Sequence, residues 1–128
     1  MDDVIVNFVP TGVVPRKTAT PHVPVSPSEI VEQVHEAYET GITLVHVHAR
    51  NADGTPTHRG ETYREIFDGI RKHCPDLPIC ASLSGRVVAE FGQRTEVLEL
   101  RPDMASLTLS SLNFSKGRAS TARRRSVV

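Results

Sequence analysis

Ten residues constrain this fold more than any others: Gly41-Ile42-Thr43-Leu44-Val45-His46-Val47-His48-Ala49-Arg50. A helix-stopping glycine leads into an apolar, β-branched run of strand length. Side chains alternate along a strand, so Ile42, Leu44, His46 and His48 share one side and Thr43, Val45, Val47 and Ala49 the other. A strand apolar on both faces belongs in a buried parallel sheet, whose functional groups gather at the strands' C-terminal ends. Both imidazoles project together at that end. Two neutral imidazoles held this way are natural ligands for zinc or a similar divalent ion. The plainer alternative is a pair of histidines that cap the strand and bond to nearby loops. The i, i+2 pairing favours the metal, but the spacing names no reaction.

The flanking segments say what kind of sheet this is. Val4–Val9 has strand length and stops at Pro10-Thr11-Gly12. The loop that follows is proline-rich and long, and its Arg16, Lys17 and His22 suit either an anionic substrate or a solvated surface. Ser26-Pro27-Ser28-Glu29 combines an N-cap, a proline at N1 and a capping box. Ile30, Val31, Val34, Ala37 and Tyr38 then trace a helical stripe that Gly41 ends, while His35 falls on the polar side. Strand, helix, strand is a βαβ unit, expected to cross over right-handed. After turn residues at 51–56, a second helix is predicted from about Glu61 to Lys72, burying Tyr63, Ile66, Phe67 and Ile70. Ile79–Leu83 reads as a third strand, Thr95–Leu100 as a weaker helix and Met104–Leu109 as a fourth strand.

Four strands alternating with three helices argue an α/β fold with a parallel sheet. Each strand ends in small polar or ligand-type residues: Thr11, His46 and His48, Ser82 and Ser84, Thr108 and Asn113. Such repetition marks the C-terminal face of a (β/α)8 TIM barrel, here about the first four βα units. A flavodoxin-like open sheet is the runner-up, but Pro10–Pro15 is not the Gly-rich phosphate loop that sheet usually carries. A whole barrel takes about 250 residues, and this chain has 128. Half a barrel leaves two open strand edges and an uncovered apolar interior. Either two copies close on each other, as a homo-oligomer, or the chain is a shortened reading of a longer enzyme.

Charge separates body from tail. The formal net charge is zero, yet residues 116–128 carry Lys116, Arg118, Arg123, Arg124 and Arg125 and no acid; without these five the body has 10 basic against 15 acidic residues, a formal −5. Residues 1–115 therefore read as a mildly acidic, enzyme-like domain and 116–128 as a basic, disordered tail. No aromatic residues interleave the arginines, so nucleic acid is not the expected partner. No apolar run approaches the roughly 20 residues that span a bilayer, the start Met1-Asp2-Asp3 is acidic, and Cys74 and Cys80 have neither zinc-ribbon nor redox spacing. These features predict a cytoplasmic protein with no membrane partner.

The motifs in order resemble the β-keto acid cleavage enzyme family, which includes the 3-keto-5-aminohexanoate cleavage enzyme of lysine fermentation. The stretches that carry the resemblance are PTGVVPRK at 10–17, TPHVPVSPSEI at 20–30, GITLVHVHAR at 41–50, DGTPTHRGETYREI at 53–66, SLSGR at 82–86 and PDMASLTLSSLNF at 102–114, running almost unbroken from Val4 to Ser115. The resemblance implies a zinc-dependent TIM barrel, a transferase that converts a β-keto acid and acetyl-CoA into acetoacetate and a new CoA ester. It implies that His46 and His48 hold the zinc, with a glutamate from a late strand as third ligand. It implies that Ser82, Gly85 and Thr108 surround the keto acid's carboxylate and neighbouring groups.

Three departures qualify it. Val14 stands where the lysine-pathway enzyme has a glutamate for the substrate's amino group, which points to an uncharged or different β-keto acid. Asn51 stands where many relatives have aspartate, a change expected to affect loop hydrogen bonding more than chemistry. Near Lys116 the resemblance stops, and GRASTARRRSVV is what a shifted reading frame in a GC-rich gene would produce; the late glutamate, the aspartate beside it and the second half-barrel are absent. Two other readings follow: an inactive fragment with a partial metal site, or a metal-dependent TIM-barrel hydrolase. The second is weakened because H-x-H lies here on the second strand, not the first.

Overall fold

The computed structural model describes residues 4–86 and 90–107, with the strand backbone at 112–114 and 117–119. Along the chain the elements are β1 (Asn7–Phe8), α1 (Pro27–Glu39), β2 (Leu44–Val47), β3 (Ala49–Arg50), β4 (Pro56–Thr57), α2 (Gly60–His73), β5 (Ile79–Ala81), α3 (Phe91–Thr95), a 3-10 turn (Glu96–Leu100), β6 (Met104–Ala105), β7 (Leu112–Phe114) and β8 (Gly117–Ala119).

Helix α1 starts where its three sequence signals coincide. Ser26 Oγ accepts from the Glu29 amide at 3.2 Å, and the Glu29 carboxylate accepts from the Ser26 amide at 3.0 Å. Lys17, paired with the other carboxylate oxygen, and the amides of Ser26 and Val25 hold this carboxyl down at about 2. Gly41, at φ 99°, turns the chain out of the helix through left-handed space that a side chain would strain. Helix α2 runs one residue further at each end than its periodicity predicts, and its Tyr63, Ile66, Phe67 and Ile70 are buried as expected.

The main sheet has strand order β1-β2-β5-β6, all parallel, with His46 paired to Cys80 and Cys80 to Met104. This confirms the α/β reading and the parallel sheet. Val45, Val47, Ile79 and Ala81 face one way, into a core completed by Ile30 and Val34 of α1 and the α2 stripe. Leu44, His46 and Met104 face the other way, where Met104 is 52% exposed. One face of the sheet is thus roofed by helices and the other is open among the described residues.

Two segments depart from the sequence reading. Residues 51–56, expected as a plain turn, close a hairpin in which β3 pairs antiparallel with β4. Thr55 donates from both its amide (2.9 Å) and its hydroxyl (2.6 Å) to Asp53 Oδ1 at the tip. The helix expected over Thr95–Leu100 is divided: Glu90 caps α3 by accepting from the amides of Gly92 and Gln93, and the 3-10 turn follows. Strand β7 pairs antiparallel with β8. No helix among the described residues is long and apolar enough to cross a membrane.

Candidate metal and substrate site

Strand alternation puts both histidines where the sequence predicts. The His46 and His48 rings meet edge to face, centroids 4.9 Å apart and planes at 71°, on the open side of the sheet at the C-terminal end of β2. Burial lowers the His46 pKa, and burial together with the neighbouring His46, Arg50 and His58 lowers that of His48 to about 4. Both rings are therefore neutral at pH 7, the form a metal ligand needs. Two imidazole nitrogens suit the first two positions of a divalent zinc-type ion. No group of three His, Cys, Asp or Glu among the described residues could hold a metal. The donors present therefore fit part of a metal's shell.

Beneath the rings lies Cys80, whose Sγ is 3.2 Å from His46 Nδ1. One step further along, Ser82 is 1% exposed, and its amide donates to the Val47 carbonyl at 3.0 Å, extending the β2–β5 ladder to the level of His48. Ser106 joins this level by donating from its amide to Ala81 O, and its Oγ accepts from the Leu83 amide at 3.1 Å. The remaining expected substrate residue, Thr108, lies outside the described residues.

The loop after β5 is held by two side chains that the sequence does not single out for this task. The buried Tyr63 hydroxyl donates to Ser82 O at 3.4 Å. Arg94 Nη1 donates to Leu83 O at 2.9 Å. Gly85 then packs directly over Arg94: a Cβ there would lie 2.9 Å from Arg94 Nη1. The small residue at position 85 thus has a steric cause. The successive carbonyls at 82 and 83 are thus engaged by side chains.

Arg50 ties the front loops together. Although only 2% exposed, it donates to Gly54 O at 2.9 Å and to Gly12 O, joining the β3–β4 turn to the loop after β1. A buried cation that satisfies two carbonyls is a scaffold. A cavity of about 660 Å³ lies beside it, lined by Arg16, Lys17, Arg50, Asp53, Arg59 and Glu65 but by neither histidine. Within that cavity wall Lys17 is engaged by Glu29.

Comparison with known proteins places the chain in a family. A family profile described as beta-keto acid cleavage enzyme matches residues 3–127. The chain is 44% identical over 110 residues to the 3-oxoadipate:acetyl-CoA acetyltransferase of Cupriavidus necator, covering 86% of this chain and 38% of that protein. It is 35% identical over 114 residues to the 3-keto-5-aminohexanoate cleavage enzyme of Fusobacterium nucleatum, covering 89% of this chain and 42% of that protein. The fold is similar to ObcA in its binary complex with oxaloacetate, with a TM-score of 0.69 and 21% identity over 81% of this chain and 27% of that one. The chain spans about two-fifths of the length of these two curated relatives. On motif order, fold and match alike, the chain belongs to the beta-keto acid cleavage enzyme family.

Proposed function

We propose that this chain forms the first four βα units of a (β/α)8 barrel that cleaves a β-keto acid with acetyl-CoA, giving acetoacetate and the CoA ester of the remaining acyl group. The observation that carries the reading is the pair of neutral, edge-to-face imidazoles at the strand rim, with Ser82 at the level of His48 on the neighbouring strand. His46 and His48 would hold zinc as two of three protein ligands. Such an ion, when bound, supplies Lewis-acid polarisation of a ketone oxygen. The chain's own residues orient the substrate. Ser82 and Gly85, with Thr108, would receive the keto acid's carboxylate on a loop whose carbonyls at 82 and 83 Tyr63 and Arg94 already engage. Stable placement of the reacting carbonyl against fixed donors is where such a site would gain its rate.

Substrate choice follows from the first loop. Val14 is exposed and offers no charge to an amino group, so the substrate is a β-keto acid without an ammonium at that end. The match to a 3-oxoadipate enzyme points the same way. The decisive measurement is zinc binding to the whole chain, followed by acetoacetate formation from 3-oxoadipate and acetyl-CoA. One zinc per chain, lost on His46→Ala and on His48→Ala, is the expected result. Equal zinc uptake by the double variant would refute the site. Zinc uptake without acetoacetate formation favours the second reading, an inactive fragment with a partial metal site, which the absence of a three-donor group among the described residues supports.

A further inference from the structure

The side chain under His46 is a cysteine with nothing else assigned to it. Cys80 is the register partner of His46 on the neighbouring strand, so the two side chains leave the sheet side by side on the same face. The sulfur lies 3.2 Å from Nδ1, within hydrogen-bonding distance, and Cys80 is 8% exposed. The two imidazole nitrogens point in different directions, so engaging Nδ1 at the sheet floor turns Nε2 outward. His48 stands against the same ring at 4.9 Å, on the rim side. The ring is thus fixed from below by sulfur and from above by a second imidazole.

We propose that Cys80 is a positioning residue for His46: its sulfur holds Nδ1 so that Nε2 is the nitrogen presented to the metal. This inference rests on the metal reading above and extends it to a residue outside the ligand set. Histidine ligands generally have their second nitrogen held by an outer group, which fixes ring orientation and tautomer. A carboxylate or carbonyl is the usual partner. Sulfur is weaker in either hydrogen-bonding role, so its effect falls at the lower end of the usual range.

Two substitutions separate hydrogen bonding from packing. Cys80→Val keeps the bulk and removes the polar atom, whereas Cys80→Ser keeps a hydrogen-bonding atom at lower volume. Zinc affinity would be measured on the full chain by chelator competition, and the His46 ring nitrogens by 15N NMR of the metal-free protein. The expected result is zinc binding about 10-fold weaker in Cys80→Val, with His46 nitrogen shifts averaged between tautomers. Cys80→Ser should retain both the wild-type affinity class and a single set of shifts. If Cys80→Val matches wild type in nitrogen shifts and zinc affinity, or if Cys80→Ser fails where Cys80→Val succeeds, the contact is mere packing and the inference falls. If wild type takes up no zinc, the metal reading fails, and the nitrogen shifts of the two variants still decide whether sulfur fixes the ring.

Discussion

Gly85 shows how much of this site is set by single atoms. Its missing side chain lets Arg94 reach the Leu83 carbonyl, and a methyl group would meet the guanidinium at 2.9 Å. Gly85→Ala should therefore destabilise the chain by about 1–3 kcal/mol, the usual cost of an overpacked contact, read as a lower urea midpoint. Histidine ionisation acts at the same scale. His46, His48 and His58 all have pKa values lowered mainly by burial, to about 4 for His48. Their folded values lie below the unfolded value of 6.5, so the unfolded chain binds more protons as pH falls. Stability is expected to be flat above about pH 7 and to decline from about pH 6.5 toward pH 4. Urea midpoints across that window test the sign, and His48→Gln should flatten the profile.

At the scale of elements, local signals carried the helices and the alternation of β2. The capping box at Ser26 and Glu29 forms as read, because both partners lie within one turn. Ser26→Ala should cost about 1 kcal/mol, measured by thermal unfolding. The stripe of α2 and the shared side of His46 and His48 were legible because periods of 3.6 and 2 are properties of the chain itself. What escaped needed distant partners. The His46–Cys80 contact depends on inter-strand register, which no local pattern encodes. Arg50 and Arg94 are buried against carbonyls, and charged residues give no sequence sign of such burial. Strands β3 and β4 hold two residues each, too few to show a period.

At the scale of the whole molecule, the sheet is protected on one side and, among the described residues, bare on the other. Ile5 is 78% exposed, and Val4, Val6, Val9, Met104 and Leu107 are exposed with it along the two edge strands and their flanks. Apolar strand edges of this kind pair with other chains. The full chain is expected to self-associate with rising concentration, seen as an increasing sedimentation coefficient. Lysine at Ile5 and Met104 should return it to monomer. The half-barrel reading came from the strand count against the length of a whole barrel, and the parallel order β1-β2-β5-β6 is consistent with it.

The phenol of Tyr63 has a further consequence. Its hydroxyl, carried on a helix behind the sheet, donates a hydrogen bond to the Ser82 carbonyl. The Ser82 level of the sheet is therefore held from the rear, by a side chain of the helix-covered core. Tyr63→Phe should loosen the Ser82 carbonyl without changing any side chain on the histidine face. Hydrogen exchange of the backbone amides around Ser82 should then quicken, which reports the loss of that single bond.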